Sequence, residues 1–504
     1  MSAARALRSP LVALTAVAAL LHAASFLGSG PHDDDYILYR YAANWVGGAG
    51  LVFDPGERVE GFSAPLWVAW IALGLRVGLD PVVASSGLAF VGCAAAVWSV
   101  GAAWRARFPG ERWPVPALLL AASPALAWHG VAGLGTTALA ALLAGWLLSY
   151  ERACERGREA WSAGVLLGLA CLLRQECALF ALAFLVCELR RRRDARLAVA
   201  ARLPVAALLP VAALAGWTAF RLAYYGRWLP VTYAVKKLPF LVDLDYGLLY
   251  LARSTWESGV LLLVLLAVVA SRAARGARRP AVVAAASGLA LHTLYVVYVG
   301  GDYLRLARFF VPTLPLMLYL GALWARDHVR AERRAPLVVL ALVVTQWPQV
   351  QRADLFADRR VFYDRWEQLG KHFGRIVAPG TKVALSPIGA FGYYSGLPIV
   401  DVLGLTNLAT LDEEPDLGIT VKGHHRHDGE WVLDQRPELL ILGNGVRQDD
   451  GRLEINPWER TIWESPRLRR DYQLLSVSVP GGADVDVFRM RGSPDPPGSV
   501  VRTP

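Results

Sequence analysis

Long uncharged apolar runs constrain this chain more than any other feature, because a stretch of near-membrane length has few stable homes in water. Twelve lie in the first 350 residues, at roughly 10–28, 65–78, 82–104, 115–131, 134–150, 161–173, 176–189, 203–222, 257–271, 280–299, 308–325 and 335–350. Charged residues make up 19% of the 504, against about 25% in soluble proteins. The last 150 or so residues have ordinary soluble composition. These patterns predict a polytopic α-helical membrane domain over 1–350 and a small soluble α/β domain over 351–490. The Pro/Gly/Ser-rich end, 491–504, is expected to be disordered.

A net charge of +10 would suit nucleic acid, but its distribution argues otherwise. Arginines gather in short clusters between apolar runs: "RRRRDAR" (190–196), "RAARGARR" (272–279) and "RDHVRAERR" (326–334). That is the mark of cytoplasmic loops, not of a face that tracks phosphates. If all twelve runs crossed, "RARFPGER" (105–112) and "ERACERGRE" (151–159) would lie opposite Arg5 and Arg8. Reading "APLWVAWIALGLRV" (64–77) as an interfacial or re-entrant helix leaves about eleven crossings and puts every basic cluster inside. The amino terminus is then cytoplasmic. Residues 29–81, 129–133, 174–176, 223–256, 300–308 and the carboxy-terminal domain lie outside. If the first run is instead a cleaved signal peptide, the sidedness is unchanged. All five cysteines (Cys93, Cys154, Cys171, Cys177, Cys187) lie in apolar runs or a basic loop, and read as packing residues.

The external segments carry the chemistry. "PHDDDYILYRYAANW" (31–45) places Asp33, Asp34 and Asp35 at the start of a candidate amphipathic surface helix. One cap needs one carboxylate, so three in a row exceed a capping role. Tyr36, Arg40 and Asn44 form one stripe, and Ile37, Tyr41 and Trp45 a second. A "DPGE" turn ends in Glu57, and Glu57, Arg58 and Glu60 precede the candidate interfacial helix, where an arginine suits an anionic headgroup. Arg174 and Glu176 sit between two short helices, and Tyr225, Arg227, Lys236 and Lys237 between spans. Asp302, Arg305 and Arg308 head another span. Polar groups at membrane depth are functional candidates, with interfacial snorkelling as the alternative for each singly.

Together these predict a charged cavity opening outward. It suits group transfer from a lipid-linked phosphate, with cations holding the phosphate and an aspartate taking the acceptor's proton. No Walker loop or dinucleotide fingerprint is present. No cofactor is required. Paired carboxylates suit hard cations, so Asp33 and Asp34 are also a candidate divalent-cation site. His424, His425 and His427 lack a second ligand cluster, and their loop is expected to reach towards the acceptor instead.

"DDDYILYRYAANWVGGAGLVFDPGERVEGFSAPLW" resembles the first external loop of the polytopic GT-C glycosyltransferases. Among these it is most similar to the terminal arabinofuranosyltransferases of mycobacterial cell walls and their wider bacterial relatives. Asp33, Asp34, Tyr36, Arg40, Asn44, Glu57, Arg58, Glu60 and Trp67 match that pattern. "AGLGTTALAALL", "YYGRWLPVTYAVK", "GGDYLRLARFFVP", "DVLGLTN" and "GHHRHDGEWVLDQRPELLIL" resemble later segments of the group. Asp35 stands where the group has a small residue, and Asp54 replaces Asn, Gly135 replaces Glu and Val231 replaces Asn. "RQE" stands where R-P-[DE] is usual. These departures bear on the sugar and acceptor rather than on the class.

The resemblance implies a GT-C bundle in a bacterial inner membrane and a polyprenyl-phosphate sugar donor, arabinofuranose among the candidate sugars. The acceptor would be an extracytoplasmic glycan or glycolipid of the cell envelope. Asp33 and Asp34 would be catalytic. Tyr36, Arg40, Asn44, Arg58, Glu60, Arg174, Lys236, Asp302, Arg305 and Arg308 would contact the donor, and His424 and His425 the acceptor. A lipid transporter or flippase would instead carry charges in mid-span and an internal repeat. A non-catalytic glycolipid-binding protein of envelope assembly is the third reading.

Overall fold

The computed structural model describes residues 10–194, 204–257, 279–304, 306–351, 354–447 and 451–502. Most of the expected span 257–271, most of the cluster 272–279, the end of the cluster 190–196 and Arg305 lie outside the described residues.

Helices follow the apolar runs: α1 (Pro10–Ala24), α2 (Asp33–Val46), α3 (Pro65–Arg76), α4 (Pro81–Arg107), α5 (Val115–Ala121), α6 (Pro124–His129), α7 (Thr136–Glu155), α8 (Trp161–Leu173) and α9 (Ala178–Asp194). Then come α10 (Val205–Tyr225), α11 (Val231–Lys236), α12 (Phe240–Glu257), α13 (Pro280–Tyr298), α14 (Leu314–His328) and α15 (Ala331–Gln351). Among the described residues α4, α10 and α13 are long and apolar enough to cross a membrane, and α1, α3 and α8 are shorter apolar helices. Small residues let the bundle close. A Cβ on Gly92 of α4 would meet the Ala138 backbone of α7, so the two helices approach at a distance only small residues allow. The run 115–131 is not one helix. Ser123 accepts a hydrogen bond from the Leu126 amide and Pro124 opens a new helix, which divides the run into α5 and α6.

The carboxy-terminal part starts with α16 (Asp354–Ile376). It continues through β1 (Val383–Leu385), α17 (Gly389–Ser395), β2 (Ile399–Asp401), α18 (Gly429–Asp434), β3 (Leu439–Ile441), β4 (Tyr472–Val477), β5 (Val485–Met490) and β6 (Ser499–Val501). The sheet order is β2-β1-β3-β5-β4-β6, parallel across the first three and antiparallel beyond. Strand alternation covers both faces. Val383 and Leu385 join Trp366, Phe373 and Phe391 in a core continuous with the membrane helices, while Ala384 turns to a second core with Val400, Leu440 and Phe488. The end of the chain corrects an expectation of disorder. Ser499–Val501 pairs antiparallel with β4, giving partners to backbone groups that would otherwise form an open sheet edge.

A second correction concerns α2. It starts at Asp33 as expected, yet it is no surface helix: Tyr36 to Ala42 are all buried. Tyr41 packs on Phe62 at 4.8 Å, and Tyr36 lies 5.4 Å from Tyr394. Tyr36, Ile37, Arg40 and Tyr41 of the two stripes are thus buried in protein, and Trp45 alone is exposed.

Arg40 fastens this junction. Its Nε donates to Phe53 O (2.8 Å), Nη1 to Gly392 O (2.6 Å) and Nη2 to Leu397 O (2.8 Å), and it pairs with Asp54. Asp54 Oδ2 in turn accepts from Ile399 N at 3.2 Å. One guanidinium thus ties α2 and the loop after it to the segment from α17 to β2. Replacing Arg40 with Met is expected to destabilise the protein by about 3–5 kcal/mol, because Asp54 would stay buried without its partner. Thermal unfolding in detergent checks this. Arg40→Lys is expected to recover little, since an ammonium cannot span four acceptors.

Candidate functional site

A cavity of about 480 Å³ lies where α2, the loop before α3, the turn between α8 and α9, α11 and the turn before α14 meet the carboxy-terminal domain. That is within the range of small-molecule sites, about 300–1,000 Å³. Asp34, Arg174, Glu176, Lys236, Lys237, Asp302, Arg308 and Lys422 line its polar part, and Ile37, Leu38, Phe62, Leu179 and Phe309 its apolar part. Five cations face three carboxylates.

The three consecutive aspartates have three separate environments. Asp35 is fully buried and accepts from the His32 amide at 2.6 Å, closing the first turn of its own helix. Asp33 is nearly buried and turns to the other domain. Its Oδ2 accepts from Gly389 N (2.7 Å) and its Oδ1 from Ala390 N (2.8 Å), at the start of α17. Gly389 is needed for this approach, because a Cβ there would overlap the Asp33 carbonyl oxygen. Asp34 alone lines the cavity, with its side chain 23% exposed. Tyr303 Oη lies 3.5 Å from its Oδ1, and Arg308 Nη1 3.9 Å from its Oδ2.

Arg308 is buried and pairs with Asp302 at 2.5 Å. The turn before it is strained: Leu306 and Ala307 have φ of 59° and 53°, a left-handed region costly to residues with a side chain. Glu257 Oε2 accepts from Leu306 N (2.6 Å), and Arg253 Nη2 donates to the carbonyls of Asp302 (2.9 Å) and Leu304 (3.0 Å). These bonds over-determine the turn and hold the guanidinium at the cavity. Arg174 donates to Ser63 Oγ at 3.1 Å. Neither Arg174 nor Lys236 pairs with a carboxylate among the described residues.

Lys422 was not singled out from the sequence. It enters from the carboxy-terminal domain, two residues before His424 in the "KGHHRH" loop. It pairs with Asp243 and donates to Lys236 O (2.9 Å), while Lys237 reaches the other oxygen of Asp243 at 2.8 Å. Burial lowers the affinity of Lys422 for its proton. Its recruitment rests on packing between distant segments, which a single sequence does not reveal.

Other expected contacts lie elsewhere. Tyr36 and Arg40 are buried between the domains, and Asn44 donates to Val52 O (3.0 Å) and Phe53 O (2.7 Å). Arg58 lies over the Tyr224 ring at 4.7 Å. Glu60 pairs with Arg221 and accepts from Trp217 Nε1 at 3.2 Å. All five organise the loop rather than line the cavity. His425 is buried, with Nε2 3.2 Å from Tyr246 Oη. His424 lies near Lys236, and burial followed by that charge pushes its pKa down to about 4.

No group of three His, Cys, Asp or Glu side chains that could hold a metal exists among the described residues. A cation shared by Asp33 and Asp34 would compete with two backbone amides for Asp33.

A family model described as "Domain of unknown function (DUF8728)" matches residues 353–488. No curated protein matches the chain significantly. Among solved structures, the chain is similar to the oligosaccharyltransferase of Archaeoglobus fulgidus in its apo form. The TM-score is 0.52 at 13% identity, over 97% of this chain and 75% of that one. The archaeal oligosaccharyltransferase AglB from the same organism, in complex with an inhibitory peptide and a dolichol-phosphate, gives 0.51 at 12% identity over 97% and 75%. ArnT from Cupriavidus metallidurans, bound to undecaprenyl phosphate, gives 0.50 at 13% identity over 77% and 85%. The chain has the GT-C fold, a helical membrane bundle carrying a small carboxy-terminal α/β domain.

Burial pushes the Asp33 carboxyl up to about 7, although the Ala390 and Gly389 amides act the other way. The folded state therefore holds this proton to higher pH than the unfolded chain, whose carboxyl titrates near 3.8. That stabilisation is full below about 4 and fades as pH rises towards 7. Melting temperature in detergent is expected to fall from pH 4.5 to pH 7.5 in the wild type, and to fall less in Asp33→Asn.

Proposed function

We propose that this protein is an integral membrane glycosyltransferase that moves a sugar from a polyprenyl-phosphate donor to an extracytoplasmic glycan or glycolipid of the cell envelope. The observation that carries this reading is one carboxylate, Asp34, sharing a cavity with Arg174, Lys236 and Arg308. The GT-C fold supports it, and two of the similar structures hold polyprenol-type phosphates of their own. The arabinofuranosyl reading rests on sequence resemblance alone. So does placement in a bacterial inner membrane. About eleven crossings, with a cytoplasmic amino terminus, follow from the arginine distribution.

In the proposed reaction an acceptor hydroxyl attacks the anomeric carbon of the donor. The new C–O bond forms as the bond from that carbon to the phosphate oxygen breaks, and polyprenyl phosphate leaves with the electron pair. Asp34 takes the hydroxyl proton. Arg308, Arg174 and Lys236 stabilise the charge on the leaving phosphate. Asp302 keeps the Arg308 fork aimed. Asp33 acts as a positioning residue, since its oxygens are engaged by α17.

The test is transfer from radiolabelled polyprenyl-phosphate sugars to envelope glycolipids in reconstituted membranes. Asp34→Asn is expected to lower kcat by about 10²–10⁴-fold without changing the melting temperature. Asp33→Asn is expected to lower stability more than kcat in the folded fraction. Transfer by Asp34→Asn at the wild-type rate would remove Asp34 as the base.

A further inference from the structure

Beside the main cavity lies a smaller pocket, which shares Arg174, Glu176, Arg308 and Phe309 with it. Its volume of about 10 Å³ is room for one water-sized group. Leu139, Leu143 and Phe180 form much of the remaining wall, and His292 of α13 lines this pocket without reaching the main cavity.

Two acceptors here lack a donor. His292 is buried, and its Nε2 lies 2.9 Å from Phe309 O. A carbonyl only accepts, so the hydrogen belongs on Nε2, and Nδ1 of the neutral ring is an acceptor. That Nδ1 is buried with no partner among the described residues. Glu176, in the turn between α8 and α9, lines both spaces, and its charge acts on the His292 ring. Its carboxylate makes no hydrogen bond or ion pair among the described residues. The nearby cations are engaged elsewhere: Arg174 donates to Ser63 Oγ, and Arg308 pairs with Asp302.

We propose that Glu176 and His292 recognise two neighbouring hydroxyls of the donor sugar, so that the sugar transferred is one with an unsubstituted vicinal diol at that place. This inference rests on the transferase reading and deepens it, naming the part of the donor that the pocket reads. One hydroxyl fills the pocket and donates to His292 Nδ1. Its neighbour stays in the main cavity and donates to Glu176, at the boundary the two spaces share. Other groups fit badly. An ether or ester at either oxygen has no hydrogen to give and exceeds the room. A sugar carboxylate would meet Glu176 as a like charge, and an ammonium would face Arg174 and Arg308. Phe309, whose carbonyl fixes the imidazole, directly follows Arg308, so the diol is read one residue from the proposed phosphate clamp.

The test compares affinities of the full-length protein in nanodiscs, read from the rise in melting temperature with ligand concentration. The probes are undecaprenyl phosphate, its arabinose, galactose, glucose and mannose derivatives, and the monodeoxy analogues of each. At least one sugar derivative is expected to bind on the order of tenfold more tightly than undecaprenyl phosphate, and two of its monodeoxy analogues to lose most of that gain. Glu176→Gln is expected to lose most of the gain as well. It should bind undecaprenyl phosphate no more weakly, because it removes a negative charge from beside the phosphate. If Glu176→Gln does not fold, Glu176→Asp, which keeps the charge but shortens the reach, takes its place. If no sugar adds affinity, if the monodeoxy analogues bind like their parents, or if Glu176→Gln keeps the gain, the diol inference is overturned while the transferase reading stands. If Glu176→Gln weakens undecaprenyl phosphate and its sugar derivatives equally, Glu176 shapes the cavity and does not read the sugar. If the wild type binds neither undecaprenyl phosphate nor any derivative, the donor reading fails, and this inference falls with it.

Discussion

The bond pair from the Gly389 and Ala390 amides to the Asp33 carboxylate, with Arg40 a turn and more further along α2, joins two domains that would otherwise meet across a polar gap. Burying these charges costs several kcal/mol each unless every lone pair and proton finds a partner. Here the partners belong to opposite domains, so neither set is satisfied alone. The carboxy-terminal domain is therefore part of the site's framework rather than an appendage. Its α17 amides hold Asp33 and leave Asp34 to face the cavity.

The same economy explains the cavity. Half of the charged groups that line it are already committed: Lys237 and Lys422 to Asp243, and Asp302 to Arg308. Such fixed pairs hold their geometry with little rearrangement if a charged group enters the cavity. The left-handed turn at Leu306 and Ala307 fits this view. It is an unfavourable backbone, kept in place by Glu257 and Arg253, that presents Arg308 beside Asp34.

Much of the architecture was legible in the apolar runs, and the start of α2 at Asp33 was legible in its three carboxylates. The break at Ser123-Pro124 was also readable, as a cap followed by a proline, but the apolar run around it masked it. The roles of Asp33, Asp34 and Asp35 were not readable. They are separated by a contact more than 350 residues away, and no local pattern reports that. For the same reason Arg40 and Glu60, matched by resemblance to donor-binding positions, prove to be buried ties of the loop. Lys236, Arg174, Asp302 and Arg308 were found because charge at membrane depth is itself a signal. Lys422 carries no such signal, and only the packing of its loop against α11 and α12 brings it to the site. The end of the chain shows the limit of composition: a Pro/Gly/Ser-rich stretch still supplies a strand where an open edge awaits one.

Three adjacent aspartates occupy three environments, with Asp34 alone of them facing the cavity. Carbodiimide labelling of the intact protein in membranes at neutral pH, read residue by residue by fragmentation mass spectrometry, tests it directly. The expected result is rapid labelling of Asp34, with Asp33 and Asp35 protected until the protein unfolds. Labelling of Asp33 as fast as Asp34 would contradict it.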